Sequence, residues 1–202
     1  MTETASRQTL TALLNTLEPE GDVDSMSVRD LIQKIGERAF APLMLIPALI
    51  LVSPLSGIPT LPTLGGLLIM LIAVQDLFGR DHLWLPDFLM RRRLSVAKLQ
   101  SALTWLEKPA RWVDRHTGDR LRMLTRSPFR QVALVIIILI TAAWPPLELL
   151  PMVTSIGAFA VSLLCIGMVT RDGIYVAAGY VFTAAVVAVA VTLVSAGMAA
   201  AQ

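Results

Sequence analysis

The chain has 202 residues, 55% of them hydrophobic and 16% charged, with a mean hydropathy of +0.67. A water-soluble domain of this size exposes too much surface to be built this way, so lipid is the expected solvent for much of it. The net charge of +2 hides an asymmetry that orients chains in bilayers: residues 1–38 hold seven acids and four bases, residues 80–130 twelve bases and five acids, a local +7.

Residues 1–38 read as an amphipathic region at the cytoplasmic face of the membrane. Leu10, Leu13, Leu14 and Leu17 fall on one helical face, and Val28, Leu31, Ile32 and Ile35 repeat the spacing after a break at Pro19 and Gly21. Ser27, three residues before Asp30, is the expected N-cap of that second helix. No signal peptide is read here, because the segment lacks a basic start and a short apolar core.

Residues 39–79 form the first hydrophobic hairpin, cut by Pro54, Pro59 and Pro62. The arm before the cut holds about 15 residues and reaches roughly 22 Å, short of a hydrocarbon core of about 30 Å. A re-entrant hairpin fits this length better than two straight crossings; two tilted crossings are the alternative. Residues 80–130 contain no apolar run long enough to cross. Val96, Leu99, Leu103 and Leu106 mark a helical face, Pro109 is expected to start a second short helix, and Trp84, Trp105 and Trp112 favour a position along the interface. Residues 131–173 are the second hairpin, broken at Pro145, Pro146 and Pro151. Residues 174–202 carry no proline and no charge and are expected to span as one transmembrane helix. The two hairpins read as an internal repeat, with Leu61-Pro62 matching Leu150-Pro151 and the closing Arg80-Asp81 matching Arg171-Asp172. The fold class expected is therefore an all-α integral membrane protein.

Gln75, the tract Leu77-Phe78-Gly79-Arg80 and Trp84-Leu85-Pro86 together resemble the Q-x-x-x-G-R…W-L-P signature of the ExoD family of exopolysaccharide synthesis proteins. Arg171-Asp172-Gly173 resembles that family's R-D-G motif, and Gly36-Glu37-Arg38 is similar to its G-x-R opening. The resemblance covers residues 25–182, with a departure at Ser127-Pro128-Phe129, where the family tends to have a P-R pair. It implies a bacterial membrane location and a link to exopolysaccharide production, without supplying a reaction.

Charged residues inside apolar blocks are costly and so become site candidates. Asp76, beside Gln75, reads as a cation or proton site or as a partner for a sugar or headgroup; the rival is an interfacial acid paired with Arg80, its i+4 neighbour. Glu148, at the second tip, reads as a carboxylate meeting unpaired carbonyls if the hairpin stops within the membrane, and otherwise as a loop residue. Arg80-Asp81 and Arg171-Asp172 either pair across the repeat or cap helix ends. Arg91, Arg92 and Arg93 read as contacts to anionic lipid, not nucleic acid. The tip prolines are expected to face a common hydrated cavity served by Asp76 and Glu148. His82 and His116 lack ligand spacing, and Ser53, Ser56 and Ser155 lack a nucleophile's surroundings, so no metal, cofactor or enzyme activity is expected.

The function expected is a non-enzymatic protein of the bacterial inner membrane that supports exopolysaccharide synthesis or export by moving an ion, lipid or glycan precursor. The alternative is a scaffold for other polysaccharide-assembly proteins. The N-terminus and residues 80–130 are expected in the cytoplasm and the C-terminus in the periplasm. Small residues at four-residue spacing, Ala184 with Ala188 and Ser195 with Ala199, predict a homodimer.

Overall fold

A computed structural model describes residues 10–17, 25–27, 29, 32–33, 40–52, 60–80, 82–90, 93–118, 121–147 and 153–200. The order is α1 (Leu10–Leu17), β1 (Ser25–Ser27), α2 (Phe40–Val52), α3 (Leu61–Leu77), α4 (Asp87–Met90), β2 (Arg93–Ser95), α5 (Val96–His116), a 3₁₀ turn (Arg122–Thr125), α6 (Phe129–Ala142), α7 (Trp144–Leu147), α8 (Val153–Thr170) and α9 (Gly173–Ala200). Among the described residues the fold is all-α apart from one short antiparallel ladder, in which Ser25, Met26 and Ser27 face Ser95, Leu94 and Arg93. That ladder ties the N-terminal region to the basic segment. Its β1 ends on Ser27, the residue expected to cap a helix.

Four apolar helices make the core. α2 packs against α3 and α8, α3 against α6, and α8 against α6 and α9. The first arm of one apolar block thus meets the second arm of the other, and the reverse. Asp76 near the end of α3 meets Arg130 at the start of α6, while Gly66 near the start of α3 lies against Thr141 and Trp144 at the far end. These two helices therefore run antiparallel. The bundle has a base, where Asp76, Arg130 and Asp172 lie, and an opposite end towards the proline-rich breaks.

Packing near that opposite end depends on missing side chains. Trp144 is 1% exposed and sits between α3 and α8. A Cβ added to Gly66 would lie 2.6 Å from its Cε3, and one added to Gly157 would lie 2.7 Å from its Nε1. Only glycine leaves room for the indole on both sides. Gly66 and Gly157 are 91 residues apart, the offset that also separates Arg80 from Arg171.

One expectation about the basic segment needs correction. Pro109 does not begin a new helix, because α5 runs unbroken from Val96 to His116. Proline removes one hydrogen bond, but the apolar stripe continues through buried Ala110 and Val113, and packing holds the helix together. The basic segment also contributes strand β2. Among the described residues, no helix is long and apolar enough to cross a membrane. α2, α3, α6 and α8 have 13, 17, 14 and 18 residues. α9 has 28, and its side chains are described without a break only over 173–188; the pairing of Ser195 with Ala199 falls partly outside.

Candidate functional site

Five segments converge at the base, each held by a polar contact. α3 ends with Phe78 and Gly79, whose φ of +64° is the left-handed geometry that glycine adopts freely. The Gly79 and Arg80 amides donate back to the carbonyls of Asp76 and Gln75. The chain then returns along the helix. Gln75 receives it with its side-chain amide: Oε1 accepts from Trp84 N at 2.7 Å, and Nε2 donates to the oxygens of Trp84 and Leu71 at 2.9 and 3.0 Å. Gln75 is thus a clamp on the segment carrying Trp84, which accounts for the spacing of glutamine and tryptophan in the sequence.

Asp76 pairs with Arg130 and not with Arg80. Arg130 Nη2 donates to both carboxylate oxygens at 2.7 Å, with the Asp76 side chain 5% exposed and that of Arg130 38%. The expected i+4 pair does not form because the chain turns at Gly79 and leaves the helical path, while α6 delivers an arginine at its first turn. The sequence reading missed Arg130. The available signal was a base opening the second apolar block two residues after Pro128.

Asp172 is fully buried and acts as a junction. Oδ1 accepts from Ile174 N at 2.9 Å and caps α9, while Oδ2 accepts from Gly118 N at 2.8 Å and holds the end of α5. Gly173 follows because nothing larger fits: its added Cβ would collide with the Leu121 carbonyl oxygen. Tyr180 donates to the Phe129 oxygen at 2.7 Å and joins α9 to α6. Asp114 on α5, also missed, caps α1 by accepting from the amides of Leu10 and Thr11 at 2.9 Å.

Gln75, Asp76, Arg80, Arg171 and Asp172 therefore all lie at the base, Arg80 and Arg171 exposed. Pro62 is buried and Pro145 exposed near the other end. Asp76 sits about 15 Å along α3 from Gly66, at ten residues and 1.5 Å per residue, and so does not share the tips with those prolines. Glu148, Pro54, Pro59, Pro151, Asp81, Arg91 and Arg92 lie outside the described residues, as do the side chains of Pro146 and Arg93. Among the described residues, no His, Cys, Asp and Glu side chains gather to hold a metal, and no buried side-chain nitrogen or oxygen lacks a hydrogen-bond partner.

A family model described as exopolysaccharide synthesis, ExoD, matches residues 10–192. Protein ExoD of Rhizobium meliloti (strain 1021) is 31% identical over 164 residues, which are 80% of this chain and 68% of that protein. No solved structure matches the chain.

Proposed function

The chain belongs to the ExoD family, associated with exopolysaccharide synthesis, and on that premise we propose that it is a non-enzymatic scaffold embedded in the bacterial inner membrane. One observation carries the membrane part. The bundle is as apolar outside as inside: Leu64 and Leu67 on α3, Val132, Val135 and Leu139 on α6, Ile156 and Phe159 on α8 and Val181 on α9 are all exposed. Helices apolar all round belong in a protein core or in lipid, and an outward patch this extensive is not left in water. The arms are short for straight crossings, so re-entrant pairs beside a long α9 fit best. The basic segment then faces the cytoplasm, the C-terminus faces the periplasm, and a homodimer covers the broken backbone.

The scaffold part rests on what the polar residues do. Gln75, Asp76 and Asp172 direct their side chains to bonds within the chain, so their role is to fix its shape for polysaccharide-assembly partners. Transport of an ion, lipid or glycan precursor is the second reading. The reciprocal packing of the two arm pairs favours it, since paired repeats with broken helices are common in transporters. Complementation of a strain deficient in exopolysaccharide, with membrane abundance measured in parallel, separates the two. A scaffold restores polymer with Glu148→Gln and with the doubly neutral Asp76→Asn/Arg130→Gln. Loss of polymer at normal abundance in either variant supports transport instead.

A further inference from the structure

We infer that Trp84 anchors the base in the bilayer: Gln75 holds it where the apolar outer face of α3 ends, so that its indole lies in the glycerol–headgroup layer of the lipid. The inference rests on the membrane reading above and names the lipid layer that the base contacts. Leu64, Leu67, Leu68, Leu71 and Gln75 follow one another at helical spacing and share one face of α3. Leu64 and Leu67 are exposed and Leu68 and Leu71 half-buried, so that face looks outward.

A glutamine on such a face would leave an amide to be satisfied in lipid. Gln75 is instead 5% exposed, because the chain returning from Gly79 lies over it. Both Nε2 hydrogens are used, on the carbonyl oxygens of Leu71 and Trp84, and Oε1 accepts from Trp84 N. The cover takes a polar group out of the outward stripe and sets Trp84 beside it.

Leu83 and Leu85 on either side are buried, whereas Trp84 is 57% exposed. A buried glutamine and two buried leucines thus fix the backbone of a residue whose own side chain stays outside. Gln75 stands two residues before α3 ends at Leu77, about 3 Å along the axis. Exposed Phe78 and then Arg80 follow. Moving outward along α3, the order is leucine stripe, tryptophan, arginine. The layers of a lipid leaflet have the same order: acyl chain, glycerol, headgroup. Tryptophan suits the middle layer because it joins a large apolar ring to one donor. Among the described residues the Trp84 indole N–H makes no hydrogen bond, which leaves it for a lipid ester oxygen. A pocket on a partner protein is the competing occupant; continuity with the outward leucines of α3 favours lipid.

The test places the full chain in phosphatidylcholine vesicles whose acyl chains carry bromine either next to the glycerol or near the terminal methyl. Tryptophan fluorescence is compared between the wild type and Trp84→Phe, and the difference isolates Trp84 from the other tryptophans. The bromine near the glycerol should quench that difference roughly twofold more than the deep one. The same comparison made in Gln75→Ala should show no depth preference and a Trp84 emission shifted to longer wavelength. Lys108→Gln, on the outer side of α5, should change neither. Equal quenching by the two labels, or stronger quenching by the deep one, overturns the proposal. Absence of quenching by both puts the indole in water or in a protein pocket and overturns it too. A depth preference that survives Gln75→Ala overturns the role given to the glutamine. Alkaline carbonate washing of the vesicles keeps this inference apart from its premise. Release of the protein removes the membrane reading and the proposal with it, whereas retention without depth preference removes the proposal alone.

Discussion

The base and the interior of this bundle are held by different means. At the base, side chains from distant segments are fastened by hydrogen bonds: Gln75 to Trp84, Asp76 to Arg130, Asp172 to Gly118 and Ile174. Ten residues along α3 from Asp76, near its start, the fit is steric, with Trp144 set between Gly66 and Gly157. The difference follows from the solvent proposed for each. Where lipid surrounds the helices, apolar burial does not choose one face over another, and close packing of small residues does. At the headgroup level, water competes for polar groups, and register is set by charged and amide side chains that reach backbone.

Five substitutions test this division, each read as thermal unfolding of the purified protein in detergent. Trp144→Ala has the largest expected effect, about 3–5 kcal/mol, because it empties the space that Gly66 and Gly157 leave for the indole. Gly173→Ala comes next at about 3 kcal/mol: at this point of the base steric fit adds to the hydrogen bonds, and the new methyl meets the Leu121 backbone, which is slow to yield. If both cost less than 1 kcal/mol, steric fit does not hold the bundle. Asp76→Asn should cost about 2 kcal/mol by leaving Arg130 without its counter-ion, toward the low end for a buried pair because the arginine is part exposed. Arg130→Gln added to it should then cost little more, and full additivity of the two would show that the residues act separately. Gln75→Ala should cost about 1–2 kcal/mol, and release of the Trp84 segment should appear as faster amide exchange there.

The all-α class was legible in the period of the leucines and in the apolar blocks, because helical amphipathicity and chain-length limits are local properties. The family was legible in Gln75, Gly79, Arg80, Trp84 and the Arg171-Asp172-Gly173 run, and the structure gives their reason: a clamp, a left-handed turn, and a capped junction too tight for a Cβ. What was not legible required knowing which segments meet. Asp76 pointed to Arg80 on spacing alone, whereas its partner lies 54 residues away on α6. Asp114 sits on an exposed-looking helix and caps α1 some 100 residues earlier. The continuity of α5 through Pro109 was missed because proline was weighed alone, against a stripe that extends to Val113.

The most direct test of the membrane-embedded bundle compares two positions that the fold leaves equally open. Leu139 on α6 is 64% exposed and Met123 at the base 70%. With Cys165 replaced by Ala, single cysteines at these positions are reacted with a water-soluble maleimide in native membranes opened to both sides. A bundle in lipid predicts rapid labelling of Met123→Cys and protection of Leu139→Cys until detergent or denaturant is added. Equal, rapid labelling of both would place the apolar outer face in water and contradict the account.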